Sequence, residues 1–431
     1  MEDSKQSEGP LNELLARNDL IYEVPRDASL VAERTFKEYP FDNSAYTAGG
    51  RPIIQLNTSG DYIYGPTSYL AFDLSISGGD ATSVYSFGSA SAAQLFSEVI
   101  QESSSGQNLE LVQRSDIVNY VRHKYQSDAS LDEKWGGVTG AGRADLLVGK
   151  AAGDEGDSVP LCVPMSMISK LWAQSEPLPA SLCAGMQIKL VLNTKLTALK
   201  REGNVTTATQ YHVRNLRIVC DSMRLRDAAV KELQMQSANN PSGGLKYTYS
   251  TFFTTPKDVG ETLSTNIDVQ KSATVPVRVM AVCRATADIK DDTADAVDSY
   301  LSYADSAADI TQWQVRSGSV YLPQQPITDS ARSYMYTNLA FDKVEVDDIG
   351  YRKALSTQVS YKDDFIAGKG WILAMPLYKS PSLPLSSDPT NNSRLINFQA
   401  SRTTGTKVTW DIIIEYIQVA NVMLNNVVVD H

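Results

Sequence analysis

Apolar residues in this chain come in short runs of five to ten, bounded by Gly, Pro, Asn, Asp and Ser, and that punctuation suits strands far better than long helices. The segment TSYLAFDLSI (67–76) shows the pattern best. Leu70, Phe72, Leu74 and Ile76 alternate with Tyr69, Ala71, Asp73 and Ser75, which gives one apolar face and one mixed face, as in a strand half-buried in a sandwich. The spacing predicts further strands at 51–57, 108–113, 158–163 and 186–193. A second set is predicted at 210–220, 245–254, 265–269, 274–283, 369–375, 394–399 and 406–419.

At 431 residues the chain exceeds what one hydrophobic core usually organises, so the two sets read as two β domains. The polar stretch 194–209 (TKLTALKREGNVTTAT) separates them and is the expected linker. The expected division is an N-terminal arm over 1–30, a first domain over 31–205 and a second over 206–431. Helical spacing is confined to a few places. Leu11, Leu14, Leu15, Leu20 and Ile21 predict a short helix within 10–24, with Pro10 in its first turn. Segments 115–126 and 329–341 predict helices at matching places in the two halves, and 226–236 predicts one opening the second half. The halves share no evident sequence identity, so any duplication is structural.

Net charge is −11, from 39 Lys/Arg against 50 Asp/Glu, and the first 50 residues carry five basic against ten acidic side chains. A chain so charged repels a polyphosphate, and no basic genome-binding arm is present, so direct specific nucleic-acid binding is not expected. No run reaches the roughly 18–20 uncharged apolar residues of a membrane span, and even WDIIIEYIQV is broken by charge. The N-terminus MEDSKQSEGP lacks the apolar segment of a secretory signal, and the expectation is a soluble intracellular protein.

Constellations that carry chemistry are hard to find. His123, His212 and His431 are unpaired by any metal-binding spacing, and Cys162, Cys183, Cys220 and Cys283 form no CxxC pair, so buried free thiols are expected. No GxSxG elbow occurs. The glycine-rich stretch Gly136–Gly142 lacks the Gly-Lys-Ser/Thr of a phosphate loop, because Gly149-Lys150 is followed by Ala151, and it reads as a surface loop. The acidic run 288–298 lacks the turn glycine and alternating ligands of a calcium loop and reads as solvated. Tyr247, Tyr249, Phe252 and Phe253 could stack on bases, but with only Lys246 and Lys257 beside them core or interface packing is expected. The reading is a non-enzyme with no catalytic residues, cofactor or metal.

Several segments, taken in order, resemble the double jelly-roll major capsid proteins of adenovirus-like, polinton-like and virophage-type viruses. They are IIQLNTSGDYIYGPTSYLAFDLSI (53–76), GSASAAQLFSEVIQES (88–103) and VPLCVPMSMISKLWAQSEPLPASLCAGMQIKLVLN (159–193) in the first half. In the second half they are FIAGKGWILAMPLYKSPSLPLSS (365–387), LINFQAS (395–401) and WDIIIEYIQVANVMLNNVVVD (410–430). The block around Trp172, with its Pro-Leu strand, short helix and closing IKLVL strand, carries most of the resemblance.

The resemblance implies an all-β chain of two tandem eight-stranded jelly-roll sandwiches, with short helices in loops and an N-terminal helix. It implies a virion capsid protein, assembled inside the host cell as a homotrimeric, pseudo-hexagonal capsomer of an icosahedral DNA virus. Its partners would be itself, neighbouring capsomers, and penton and minor or cement capsid proteins, with an internal membrane beneath the shell a further candidate. Leu11, Leu14, Leu15, Leu20 and Ile21 would lie on the interior side and tie neighbouring tiles together. Two alternatives remain open at this point. A vertex (penton) or minor capsid jelly-roll protein would form pentamers, and a carbohydrate-binding or carbohydrate-cleaving β-sandwich would expose a row of Trp/Tyr, whereas Trp135, Trp172, Trp313, Trp371 and Trp410 are scattered.

Overall fold

The alternating segment at 67–76 lies inside a sixteen-residue strand, Tyr62–Ser77, which is flanked on both sides in its sheet. A computed structural model describes residues 30–78, 84–87, 91–126, 136–141, 146–150, 154–193, 199–202, 210–239, 244–269, 271, 275–286, 310–342, 344–346, 352–354, 361–365, 371–380, 383–384, 395–422 and 427–430. Its first eight principal strands are β1 (Val31–Pro40), β2 (Ile53–Gln55), β3 (Tyr62–Ser77), β4 (Phe96–Glu102), β5 (Asn108–Gln113), β6 (Val159–Pro164), β7 (Gln187–Leu192) and β8 (Gln210–Leu225). They pair antiparallel in two sheets, ordered β1-β8-β3-β6 and β2-β7-β4-β5. Apart from the hairpin β4-β5, successive strands alternate between facing sheets, which is the wound order of a jelly roll. Between the sheets, Leu70, Phe72, Leu74 and Ile76 are at most 2% exposed, and Phe72 meets Phe96 edge-on at 6.2 Å.

The second half repeats the order. Its strands are β9 (Leu245–Val259), β10 (Ser264–Val269), β11 (Val275–Ala285), β12 (Ile310–Ser317), β13 (Val320–Ile327), β14 (Leu373–Pro376), β15 (Ile396–Arg402) and β16 (Val408–Val422). The sheets are β9-β16-β11-β14 and β10-β15-β12-β13, so each strand takes the place held by its counterpart in the first half. Helix α1 (Ser115–Gln126) follows β5, and a matching helix (Ser330–Ala340) follows β13. Asp329 caps the latter by accepting from the Arg332 amide at 2.7 Å. Helix α2 (Asp227–Asn239) lies between β8 and β9, and with it the matching helix becomes α3. The predicted helices at 115–126, 226–236 and 329–341 therefore stand within a few residues of their ends.

Two expectations need correction. The division at 205/206 would cut the first sheet, because β8 pairs with β3 along most of its length and with β1 on its other side. The first jelly roll closes at Leu225, and α2 makes the connection. The segment 194–209 is accordingly no plain linker: its Lys200–Glu202 pairs with Val84–Ser86. Strands β1, β4, β12 and β13 lie outside the segments that spacing predicts as strands. In β1 (VAERTFKEYP) every residue is exposed or half-exposed, so no apolar alternation marks it. It is held by its ladder and by charge instead: Arg34 grips the buried Asp221 through Nε at 2.9 Å and Nη2 at 2.5 Å. In β13, Pro323 and Pro326 argue against a strand, but β13 is an edge strand, where a missing N–H is tolerated.

Candidate functional site

The groups singled out for chemistry stay apart. His123 is buried on α1, and His212 on β8 meets Ser77 Oγ at 2.8 Å. Cys183, Cys220 and Cys283 are buried and Cys162 half-buried, all as free thiols. Among the described residues no three His, Cys, Asp or Glu side chains are grouped to hold a metal ion, and no helix is long and apolar enough to cross a membrane. Trp172, Trp313, Trp371 and Trp410 are at most 4% exposed and form no surface row. Residues 288–298, Trp135, His431 and the arm residues Leu11, Leu14, Leu15, Leu20 and Ile21 lie outside the described residues.

What the fold does concentrate is buried charge at the seam between the two jelly rolls. From Val408 to Tyr416, β16 is buried at every position, so both of its faces are covered. One face, with Trp410, Ile412 and Ile414, enters the second core, where Trp410 packs on Phe398 at 4.9 Å. The other face carries Asp411, Ile413 and Glu415 towards the first jelly roll. Glu415 pairs with Arg278 of β11 at 2.6 Å and with Lys170 of the first roll at 3.7 Å, and it accepts from Ser250 Oγ at 2.8 Å. Asp411 pairs with Arg284 at 2.5 Å and with Arg114 of the first roll at 3.5 Å.

The first roll supplies a matching set. Buried Glu110 on β5 accepts from Ser169 Oγ and, at 3.2 Å, from Gln101 Nε2. Gln101 in turn accepts from Trp172 Nε1 at 2.8 Å. Arg122 of α1 donates to the Met167 and Ser166 carbonyls at 2.8 and 2.9 Å and lies over the Phe252 ring of β9. Tyr249 donates across the seam to the Leu109 carbonyl, and Tyr247 donates to the Leu171 and Glu176 carbonyls at 3.3 and 3.2 Å. Tyr125 stacks on Phe341 at 5.0 Å. The aromatic cluster of β9 therefore packs as an interface, as its composition suggested.

Burial and pairing compete over each charge. Burial would raise the Glu415 carboxyl, but Arg278, Lys170 and the Ser250 hydroxyl outweigh it and hold its pKa below the ordinary value. For Glu110 burial prevails over the Ser169 hydrogen bond and the Arg122 charge, and its pKa is raised. Burial, helped by neighbouring Arg122, pushes Lys170 down to about 8. Burial, aided by the Arg278 charge, outweighs the carboxylates around Arg122, which is lowered to about 10. This is a structural joint: its charged side chains pair with one another across two domains. Sequence reasoning passed over Glu110, Lys170, Arg278 and Glu415. The available signal was Asp411 and Glu415 at even spacing within an otherwise apolar strand, which puts both carboxylates on one face.

No family model matches the chain, and no curated protein matches it in sequence. Solved structures do match over nearly its whole length. A chain of the Sputnik virophage particle aligns with a TM-score of 0.59 at 11% identity, covering 100% of this chain and 93% of that one. The Faustovirus major capsid protein aligns at 0.56 and 9% identity, over 96% of this chain and 94% of its own. The mavirus major capsid protein aligns at 0.52 and 11%, over 100% and 96% respectively. With the strand order found twice along its length, the chain has the double jelly-roll fold of these viral major capsid proteins.

Proposed function

We propose that this chain is the major capsid protein of an icosahedral DNA virus, located in the virion shell, and that three copies form one pseudo-hexagonal capsomer. The observation that carries the reading is the repeated strand order. One chain presents two blocks of like build, so a three-fold ring of chains presents six, an outline that tiles a facet. The buried joint supports it too, since a tile must hold its two halves in fixed relation. Exposed apolar side chains on the edge strands, Phe36 on β1 at 58% and Val320 and Tyr321 on β13 at 49% and 41%, suit contacts between copies.

In this reading the partners are further copies within the capsomer, neighbouring capsomers, and penton and minor or cement proteins. The role is structural and the chain is not an enzyme. Light scattering on the purified protein tests it: the expected mass is three times 47.1 kDa. A stable monomer at micromolar concentration, or a pentamer, would overturn it.

A further inference from the structure

An apolar groove of about 310 Å³ lies where the two jelly rolls and their connection meet. Leu30 and Leu225 form its wall on the first roll, Ala229 and Leu233 on α2, and Leu245 and Tyr247 at the start of β9. Leu30 is tied there by its carbonyl, which accepts from the Arg226 amide at 3.0 Å. Ala229 and Leu233 are one helical turn apart and so turn a common face to the groove.

We propose that this groove is the seat of the chain's own segment Leu11–Ile21, folded back from Leu30 as a staple across both jelly rolls. The chain that must be placed begins at the groove itself, since Leu30 is part of its wall. Ile21 is nine residues before Leu30, a spacer that reaches at most about 32 Å when extended, enough to turn and re-enter. Leu11, Leu14 and Leu15 stand at i, i+3 and i+4, the spacing with which an amphipathic helix fills a groove. Charge agrees as well: Glu176, Glu232 and Lys246 border the groove, and Glu13 and Arg17 flank the leucines.

Tethering decides which copy supplies the segment. A short spacer holds it at an effective concentration in the millimolar range, far above a micromolar second copy. The lining of the groove is mainly apolar, which suits leucine side chains better than a polar small ligand. The staple concerns a single chain, so it stands or falls separately from the capsid reading, whose test is oligomer mass.

The test uses the full chain. In a Cys162→Ser background, Leu233→Cys is combined in turn with Leu11→Cys, Leu14→Cys and Leu15→Cys, and a short bismaleimide is added. At least one pair should give a cross-link within one chain, seen on a denaturing gel and mapped by mass spectrometry. Failure at all three positions would overturn the staple. So would a two-chain product, which would return the segment to the tying of neighbouring copies. In parallel, Leu14→Asp combined with Leu15→Asp should speed amide exchange at 229–233 and 245–247 by about 10-fold to 100-fold, the range implied by losing buried leucines. Unchanged exchange there would also refute it.

Discussion

Glu415→Gln should be among the most damaging isosteric substitutions in the protein. The side chain is 3% exposed and pairs with Arg278 at 2.6 Å and Lys170 at 3.7 Å, with Arg122 close enough to act on it. Removing its charge leaves these cations in a buried site with Glu110, whose neutral form burial already favours, and with the exposed Asp342, 3.9 Å from Arg278. Breaking one side of a buried pair costs about 3–5 kcal/mol. For 431 residues unfolding as one unit, at roughly 2.1 cal/mol/K per residue, the unfolding entropy is about 0.9 kcal/mol/K, so the melting temperature should fall by about 3–6 °C. The pKa direction adds a second signature. A carboxyl held below its ordinary 4.5 contributes stability that is present above that pH and is lost as pH falls through the folded value. The Glu415→Gln deficit should therefore shrink below about pH 4.5. Scanning calorimetry at pH 7 and pH 4 reads both effects. A melting temperature within 1 °C of wild type at pH 7, by this roughly 1 °C per kcal/mol scale, would show that the seam charges do not hold the rolls together.

Lys170 is pushed from 10.5 to about 8 by burial, so the unfolded chain binds a proton across that window that the folded chain releases. Wild-type stability should thus rise with pH between about 8 and 10 relative to Lys170→Met, read by urea titration at each pH; parallel curves would refute it. Tyr249→Phe leaves the Leu109 carbonyl without its cross-seam donor and should cost about 1–3 kcal/mol, measured as a lower denaturant midpoint at unchanged slope. Gly65→Ala should cost about 1–3 kcal/mol or more, because its new Cβ would sit 2.4 Å from the Trp172 carbonyl oxygen, a backbone atom that cannot swing away. A Gly65→Ala protein melting like wild type would refute that account.

The parts of the fold that show in the sequence are those governed by one-sided burial. The 67–76 strand displays its alternation because Leu70, Phe72, Leu74 and Ile76 face the core while Tyr69 and Asp73 opposite them stay half-exposed. Where burial is absent or two-sided the pattern fails. Strand β1 is exposed on both faces and is specified by pairing to β8 and by Arg34–Asp221, contacts 187 residues apart that no local window contains. The place of β8 in the first sheet is hidden for a related reason. Its strand character is evident at 210–220, but which partner it takes is decided by β3, over 130 residues earlier. The boundary between the rolls was therefore set one strand too early. The joint was the least legible part, since Glu110, Lys170, Arg278 and Glu415 come from four distant segments and each reads alone as an ordinary surface charge.

Strand β16 connects these observations. It serves two interiors at once: Trp410, Ile412 and Ile414 fill the second sandwich, while Asp411, Ile413 and Glu415 meet the first. Side chains alternate with period two, so a slip of one residue against β9 or β11 would drive both carboxylates into the sandwich core and turn Trp410 onto the seam. An all-apolar strand would tolerate that slip far better, because either face would suit either interior. Burying ionised groups contributes little net stability compared with apolar packing. Here the charges penalise the wrong register on both faces simultaneously, and the ladder of one strand thereby sets how the two jelly rolls stand against each other.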